Sequence, residues 1–343
     1  MSVALDEWVD LLRREYLESF ITSGGAAVKI AVAPPEQATE VLDAVAAAAR
    51  QQGYCVARVD AAATKVHMID QIFHAVARQV DWPGLTDRWL RDLLNNNGIF
   101  VAPEQPLQDV DALAAVNDRQ RRELLQEINR LIENALVRNY ALSKEFRTAI
   151  AMMCRSAVNP QNVSPTDADL IQKWLHGHKC SLTSLRRVQI HQRIGRHNAR
   201  WLLNSLTLWL RQTGAAGLVL LLDLNAVVRD KSAEPALAAN GAPAGEMRDN
   251  ALPVNALPVN PVRYTRGALL DTYEVLRQFI DETDEMAHVL LVAVAGPGLL
   301  DDPKRNVDNY TALKLRIVDE VHDHSRSNPL NAMVRLSATG EHK

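Results

Sequence analysis

The run Val32 to Thr39, VAPPEQAT, joins an apolar strand-like segment to a helix-like one, which is where a phosphate-binding turn belongs in an α/β chain. Such a turn needs glycines, so that successive backbone N–H groups can surround phosphate oxygens. It also needs a lysine for the terminal phosphates and a Ser or Thr for magnesium. Thr39 meets the last requirement. Pro34 and Pro35 each remove a backbone donor, and Glu36 adds a charge that repels phosphate. The bland reading is an ordinary strand-to-helix turn with prolines at the helix start. A second acid-bearing position follows the aliphatic run GAAGLVLLLD. Asp223 stands where a magnesium-supporting carboxylate would stand, but Leu224 and Asn225 follow it, and no second carboxylate remains to orient an attacking water. An Asp at a strand end also serves as a plain turn residue.

The chain carries one concentrated basic stretch, with Arg186, Arg187, Arg193, Arg196, His197 and Arg200 close together. Three uses are open to it. These are contact with DNA phosphates, an arginine finger offered across a subunit boundary, and the solvated face of helices whose other face is buried. Aromatic residues do not interleave with these arginines, which argues against stacking on single strands. Arg305 and Arg316 are read as surface salt-bridging residues. His176 with His178, and His322 with His324, stand two apart, where helical metal ligands prefer three or four. Cys55, Cys154 and Cys180 lie far apart and outside any CxxC spacing, and are read as three buried thiols. The chain has no GxSxG, HExxH or GxGxxG pattern.

The elements that must position these residues follow from periodicity. Asp6 to Phe20 has apolar residues at helical spacing, and Gly24-Gly25 ends it. AAVKIAV, Ala26 to Val32, reads as a buried parallel strand. An alanine-rich helix follows over Glu36 to Gln52, then a strand over Tyr54 to Val59 and a helix over Val66 to Val80. From Trp82 to about Trp209 there is no convincing strand, and Arg119 to Tyr140, Ser143 to Val158, Thr166 to His176 and Asn198 to Gln212 carry helical periodicity, a helical insertion in the sheet. Gly214 to Asp223 predicts a central strand, Arg266 to Ile280 a helix, His288 to Ala295 a strand, Asn309 to His324 a helix and Leu330 to Leu336 a closing strand. Ser232 to Pro261, with its near-repeat NALPVNALPVN, predicts a flexible loop. Alternation of strands and helices indicates a three-layer α/β sandwich with a parallel sheet.

At 343 residues and 47% hydrophobic content the chain can bury a large core. Its 38 basic and 41 acidic side chains nearly balance, so any attraction to nucleic acid must be local. The charged amphipathic opening lacks the features of a secretory signal, and no apolar run approaches a membrane span; a cytoplasmic location with no membrane partner is the expectation.

Three blocks together resemble the ATP-binding P-loop (AAA-like) proteins of BREX-type phage-defence systems. They are EWVDLLRREYLESFITSGGAAVKIAV, the stretch from WLHGHKCSLTSLRRVQIHQRIGRHNARW to GAAGLVLLLD, and VAVAGPGLLDDPKRNVDNYTALKLRI. That resemblance implies a P-loop NTPase fold with a large helical insertion. The core would be formed by residues 1–81 and 214–343, and the insertion by 82–213. It also implies that Ala33 to Thr39 and Asp223-Leu224 are where this chain departs from the family, leaving Thr39 and Asp223 as a vestigial nucleotide site. The expected protein is a catalytically inactive ATPase-like subunit, with no cofactor, paired with an active paralogue in a hetero- or homo-oligomer. DNA is a further partner that Arg186, Arg187, Arg193, Arg196 and Arg200 allow. The alternatives are an ATPase with an unusual ATP and magnesium site built from Lys29, Thr39 and Asp223, or a stand-alone DNA-binding regulator.

Overall fold

The computed structural model describes residues 2–161, 163–228, 261–317 and 330–337. The chain opens with α1 (Leu5–Leu11), which runs on as a π-helical stretch, Leu12–Phe20. Strand β1 (Ala26–Val32) follows, then a single 3₁₀ turn at Pro35–Gln37 and α2 (Ala38–Gln51). The second unit is β2 (Cys55–Asp60) with α3 (Ile69–Ala77). Alanines at the buried positions of α2 bring its backbone close to the sheet, and good helix propensity holds the element together.

Seven helices then run without a strand among the described residues: α4 (Trp82–Asn96), α5 (Val110–Val116), α6 (Arg121–Ile132), α7 (Lys144–Val158), α8 (Pro165–Leu175), α9 (Leu182–Arg187) and α10 (Ala199–Gln212). Five of the seven are capped at their starts by side chains: Asp81, Asp109, Ser143, Ser164 and Ser181 each accept a backbone N–H of the following first turn. The block is tied together by aromatic packing. Trp82 stacks on Trp209 at 5.9 Å between centroids, with Phe146 edge-on to both, so α4, α7 and α10 share one fully buried cluster.

The chain returns to the sheet as β3 (Leu218–Asp223), followed by the short α11 (Asn225–Val228). Beyond these come α12 (Arg266–Asp281), β4 (Val289–Ala295), α13 (Gly298–Asp301), α14 (Thr311–Ile317) and β5 (Met333–Arg335). The segment Ser232 to Pro261, apart from Pro261, lies outside the described residues, as does the continuation of α14 toward His324.

All five strands are parallel and lie in the order β2-β3-β4-β1-β5. Strand β4 is buried at all seven positions, as a strand covered on both faces must be. Alternate residues divide between two cores. Ile30, Val32, Leu218, Leu220, Leu222, Leu291 and Ala293 face the helices from α3 to α10 together with α12, whereas Ala31, Val219, Leu221, Leu290, Val292 and Val294 face α1 and α2. The result is a three-layer α/β fold. Gly217 opens β3 with φ of +144°, and a Cβ there would stand 2.3 Å from the His288 carbonyl oxygen, so the entry of β3 beside β4 requires glycine.

Lys29 explains how the far edge is held. It is 4% exposed, its ammonium donates to the carbonyls of Leu330 and Asn331, and it lies 4.5 Å over the Tyr16 ring. Burial pushes its pKa down to about 8. The N-terminal segment then pairs past β5 through Val3 and Leu336 and covers that edge.

Candidate functional site

Ligands of parallel α/β sheets bind beyond the carboxyl ends of the strands, so the ends of β1, β3 and β4 are the place to look. They converge. A Cβ placed on Gly296, just after β4, would lie 3.2 Å from the Asn225 Oδ1 after β3 and 3.5 Å from Pro35 Cγ after β1. The space above β1 is thus closed in by a proline ring and an amide side chain.

The turn itself is stiff. Pro34 sits at φ −53°, ψ 142°, an extended conformation that the following proline favours, and Pro35 begins the 3₁₀ turn without a backbone donor. Ala33 N–H is spent on the Ala295 carbonyl at 3.0 Å and Gln37 N–H on the Pro34 carbonyl at 2.9 Å. Thr39 is exposed in the first turn of α2, and Glu36 is exposed beside it.

Asp223 has a structural task. Its Oδ1 accepts the Asn225 backbone N–H at 3.0 Å and the Asn225 Nδ2 at 2.8 Å, an Asx turn that starts α11. The other amide atom, Asn225 Oδ1, is buried and without a hydrogen-bond partner among the described residues. Lys29 does not join Thr39 and Asp223, because its ammonium is committed to the segment before β5. A phosphate site drawing on all three residues is not assembled.

A surface salt bridge is the expectation for both late arginines; Arg316 forms one, whereas Arg305 bonds to backbone carbonyls. Arg305 is half-buried and donates to the Val227 carbonyl at 2.9 Å, close by Tyr264, so it pins the end of α11. Arg316 does form an ion pair, through both sides of its guanidinium, with Asp281.

The basic stretch separates into two kinds of residue. Arg200 is half-buried and pairs with Glu282 at 2.6 Å and with Gln278, joining α10 to α12. Burial nonetheless raises the Glu282 carboxyl above its ordinary range, with Arg200 opposing. Arg186, Arg187, Arg193 and Arg196 are exposed; Arg187 pairs with Asp167 at 2.6 Å, and Arg193 Nε donates to the Cys180 carbonyl at 3.2 Å. No aromatic residue interleaves with the arginines, but Trp201 directly follows Arg200 in α10 and is 67% exposed. The signal was present in the sequence, as a tryptophan one position past the basic run.

A polar cluster after β2 escaped the sequence reading. The Tyr264 hydroxyl lies 3.0 Å from the Ala61 carbonyl and 2.7 Å from that of Thr64, and it accepts the Val66 N–H at 3.2 Å, fastening this loop. His67 packs edge-on to Tyr264, and its Nδ1 is buried without a partner among the described residues, as is Asp70 Oδ1. Burial lowers the His67 pKa; the Arg196 and Lys65 charges push the same way, and Asp271 and Asp70 oppose. No sequence motif marks this cluster, which long-range packing creates. Away from the strand ends, a cleft of about 740 Å³ lies among α4, α7 and α8, floored by buried Thr86 and Ser156.

No protein-family model matches this chain, and no curated protein or solved structure does so either. No group of three or more potential metal ligands occurs among the described residues, and no helix among them is long and apolar enough to cross a membrane. Of the three thiols, Cys154 and Cys180 are buried and Cys55 is half-buried, a partial departure from three buried cysteines.

Proposed function

We propose that this chain is a catalytically silent subunit with a P-loop NTPase (AAA-like) fold that pairs with an active ATPase paralogue in a bacterial antiphage complex. The observation that carries the reading is the strand order. An all-parallel sheet in which β4 and β3 stand between β1 and β2, with β5 outside β1, is compatible with the AAA-like core that the three sequence blocks imply. It differs from the two common dinucleotide- and flavin-binding orders. In that arrangement the turn after β1 would hold the phosphates and the end of β3 the magnesium ion. Here the first is occupied by two prolines and the second by an Asx turn. The defence setting rests on the three sequence blocks.

The reading also explains why the core is kept while the chemistry is lost. A subunit that completes a neighbour's site needs its sheet and helices, and it does not need its own phosphate turn. The test combines two measurements. The purified chain should show no magnesium-dependent ATP turnover and no binding of a fluorescent ATP analogue. Mixed with a P-loop paralogue from the same source, it should form a stable complex by light scattering and change that partner's turnover. Hydrolysis by the isolated chain that vanished in Asp223→Ala would overturn the silent-site reading, and absence of any complex would overturn the pairing.

A further inference from the structure

The local charge distribution contrasts with the near-neutral whole. Between Leu170 and Leu222 the chain carries eight Lys or Arg residues and no Asp or Glu. Lys173, Arg187 and Arg200 are paired with Asp169, Asp167 and Glu282, and the exposed Lys179, Arg186, Arg193 and Arg196 leave a local excess of positive charge in a chain of formal charge −3.

The structure gathers this stretch into one ridge. Buried Leu185, Val188 and Ile190 anchor it from beneath. The Trp174 indole donates to the Gln192 carbonyl at 3.1 Å, Arg193 bonds back to Cys180, and Asn198 Nδ2 donates to the Arg193 carbonyl at 3.1 Å. These bonds fold the segment between α9 and α10 against the end of α8. With the apolar residues turned inward, Lys179, Arg186, Arg193, Arg196 and His197 are exposed, and Trp201 follows in the first turn of α10. At one end Arg78, itself exposed, donates to the His176 carbonyl at 3.0 Å; at the other, the charge of Arg196 reaches His67 in the loop after β2. Asp167 and Asp169 are the nearest acids in sequence, and they are engaged by Arg187 and Lys173.

We infer that this ridge binds single-stranded DNA. Exposed guanidinium and ammonium groups attract the phosphates of a strand, and the exposed indole of Trp201, next in sequence to Arg200, offers a face on which an unpaired base can stack. A duplex buries its base faces, so it could use the cations but not Trp201. The track reads phosphates and base faces and makes no demand for a 2′-hydroxyl, which DNA lacks. The inference rests on surface chemistry and stands independently of the silent nucleotide site.

The test is fluorescence anisotropy with a labelled oligothymidylate of about 20 nucleotides, longer than a typical single-strand site, and the full chain. Binding should weaken steeply as salt rises from about 50 to about 200 mM. Arg193→Glu with Arg196→Glu should weaken it about tenfold or more and lower the salt slope by roughly 1.4, since each lost phosphate contact contributes about 0.7 on single strands. Trp201→Ala should weaken it about fivefold or more and remove the quenching of tryptophan emission by the oligonucleotide. Both variants alter exposed side chains, and unchanged thermal melting would show that they fold. No binding at the lowest salt, variants that bind like the parent, or a duplex of the same length bound more tightly than the single strand would each overturn the inference. Tenfold tighter binding of oligouridylate would overturn the choice of DNA.

Discussion

Asp223 separates a structural carboxylate from a metal-supporting one, and the two roles respond differently to the same pair of substitutions. Its Oδ1 accepts two hydrogen bonds from Asn225, at 3.0 and 2.8 Å. Asp223→Ala removes the acceptor and leaves a half-buried N–H without its partner, a loss of about 1 kcal/mol by the measure of capping residues. Asp223→Asn retains an acceptor oxygen for the same turn and should cost only a few tenths of a kcal/mol. For domains of ordinary size a kcal/mol moves the melting temperature by about 2–4 °C. The alanine variant should therefore melt roughly 2–4 °C below the parent, and the asparagine variant within about 1 °C of it. The assay is differential scanning calorimetry of the three proteins with and without magnesium and ATP. A ligand present at a hundred times its Kd would stabilise the fold by about 2.7 kcal/mol, a shift of several degrees. The expectation is no shift in any of the three. A rise for the parent that Asp223→Asn abolishes, with the Asx turn still capped, would refute the reasoning, because only loss of the charge distinguishes that variant.

Two further expectations concern buried ionisable groups. Lys29 has a folded pKa of about 8 against 10.5 for the free side chain, so the unfolded chain binds more protons between these values; stability should rise with pH across that window, by up to about 3 kcal/mol, and Lys29→Met should flatten the rise in urea titrations. His74 is buried, with its Nδ1–H donating to the Leu175 carbonyl at 2.8 Å, and burial holds its pKa below the ordinary 6.5. The unfolded chain therefore takes up the proton first, stability should fall as pH drops below about 6.5, and His74→Asn should shallow that slope; an unchanged slope would show that other groups govern it.

The strands were legible because central parallel strands are apolar on both faces. AAVKIAV and HVLLVAVA read as strands almost to the residue, and Leu218–Asp223 ended on the acid that closes it. The order of those strands was not legible, since an apolar run states that it is buried and not beside which neighbour. Among the helices, α4 went unread although Asp81 and Pro83 mark its start, and α5 and α9, at seven and six residues, are too short for periodicity to show. The proline turn after β1 was legible from Pro34 and Pro35 alone. The employment of Asp223 by Asn225 and of Lys29 by the segment before β5 was not, because the first depends on local rotamers and the second spans 301 residues of sequence.

Why a closed turn leaves the fold intact follows from where the stabilising contacts lie. The two cores use side chains in the bodies of the strands, from Leu218 to Leu222 and from Val289 to Val294, and the chemistry-bearing positions stand just past them. Residues held for catalysis commonly store strain that the rest of a fold must offset. A turn built on Pro34 and Pro35 stores less, because each ring fixes its φ where the turn needs it and reduces the freedom of the unfolded chain. A proline-built turn after β1 is thus compatible with the full sheet, and with the helices α3 to α10 that the sheet carries. The exposed arginines and Trp201 belong to that helical block, which is stapled by Trp82, Phe146 and Trp209 and shares a core with the sheet. The parallel sheet fixes that surface in place, and Trp201 remains 67% exposed there beside the exposed arginines.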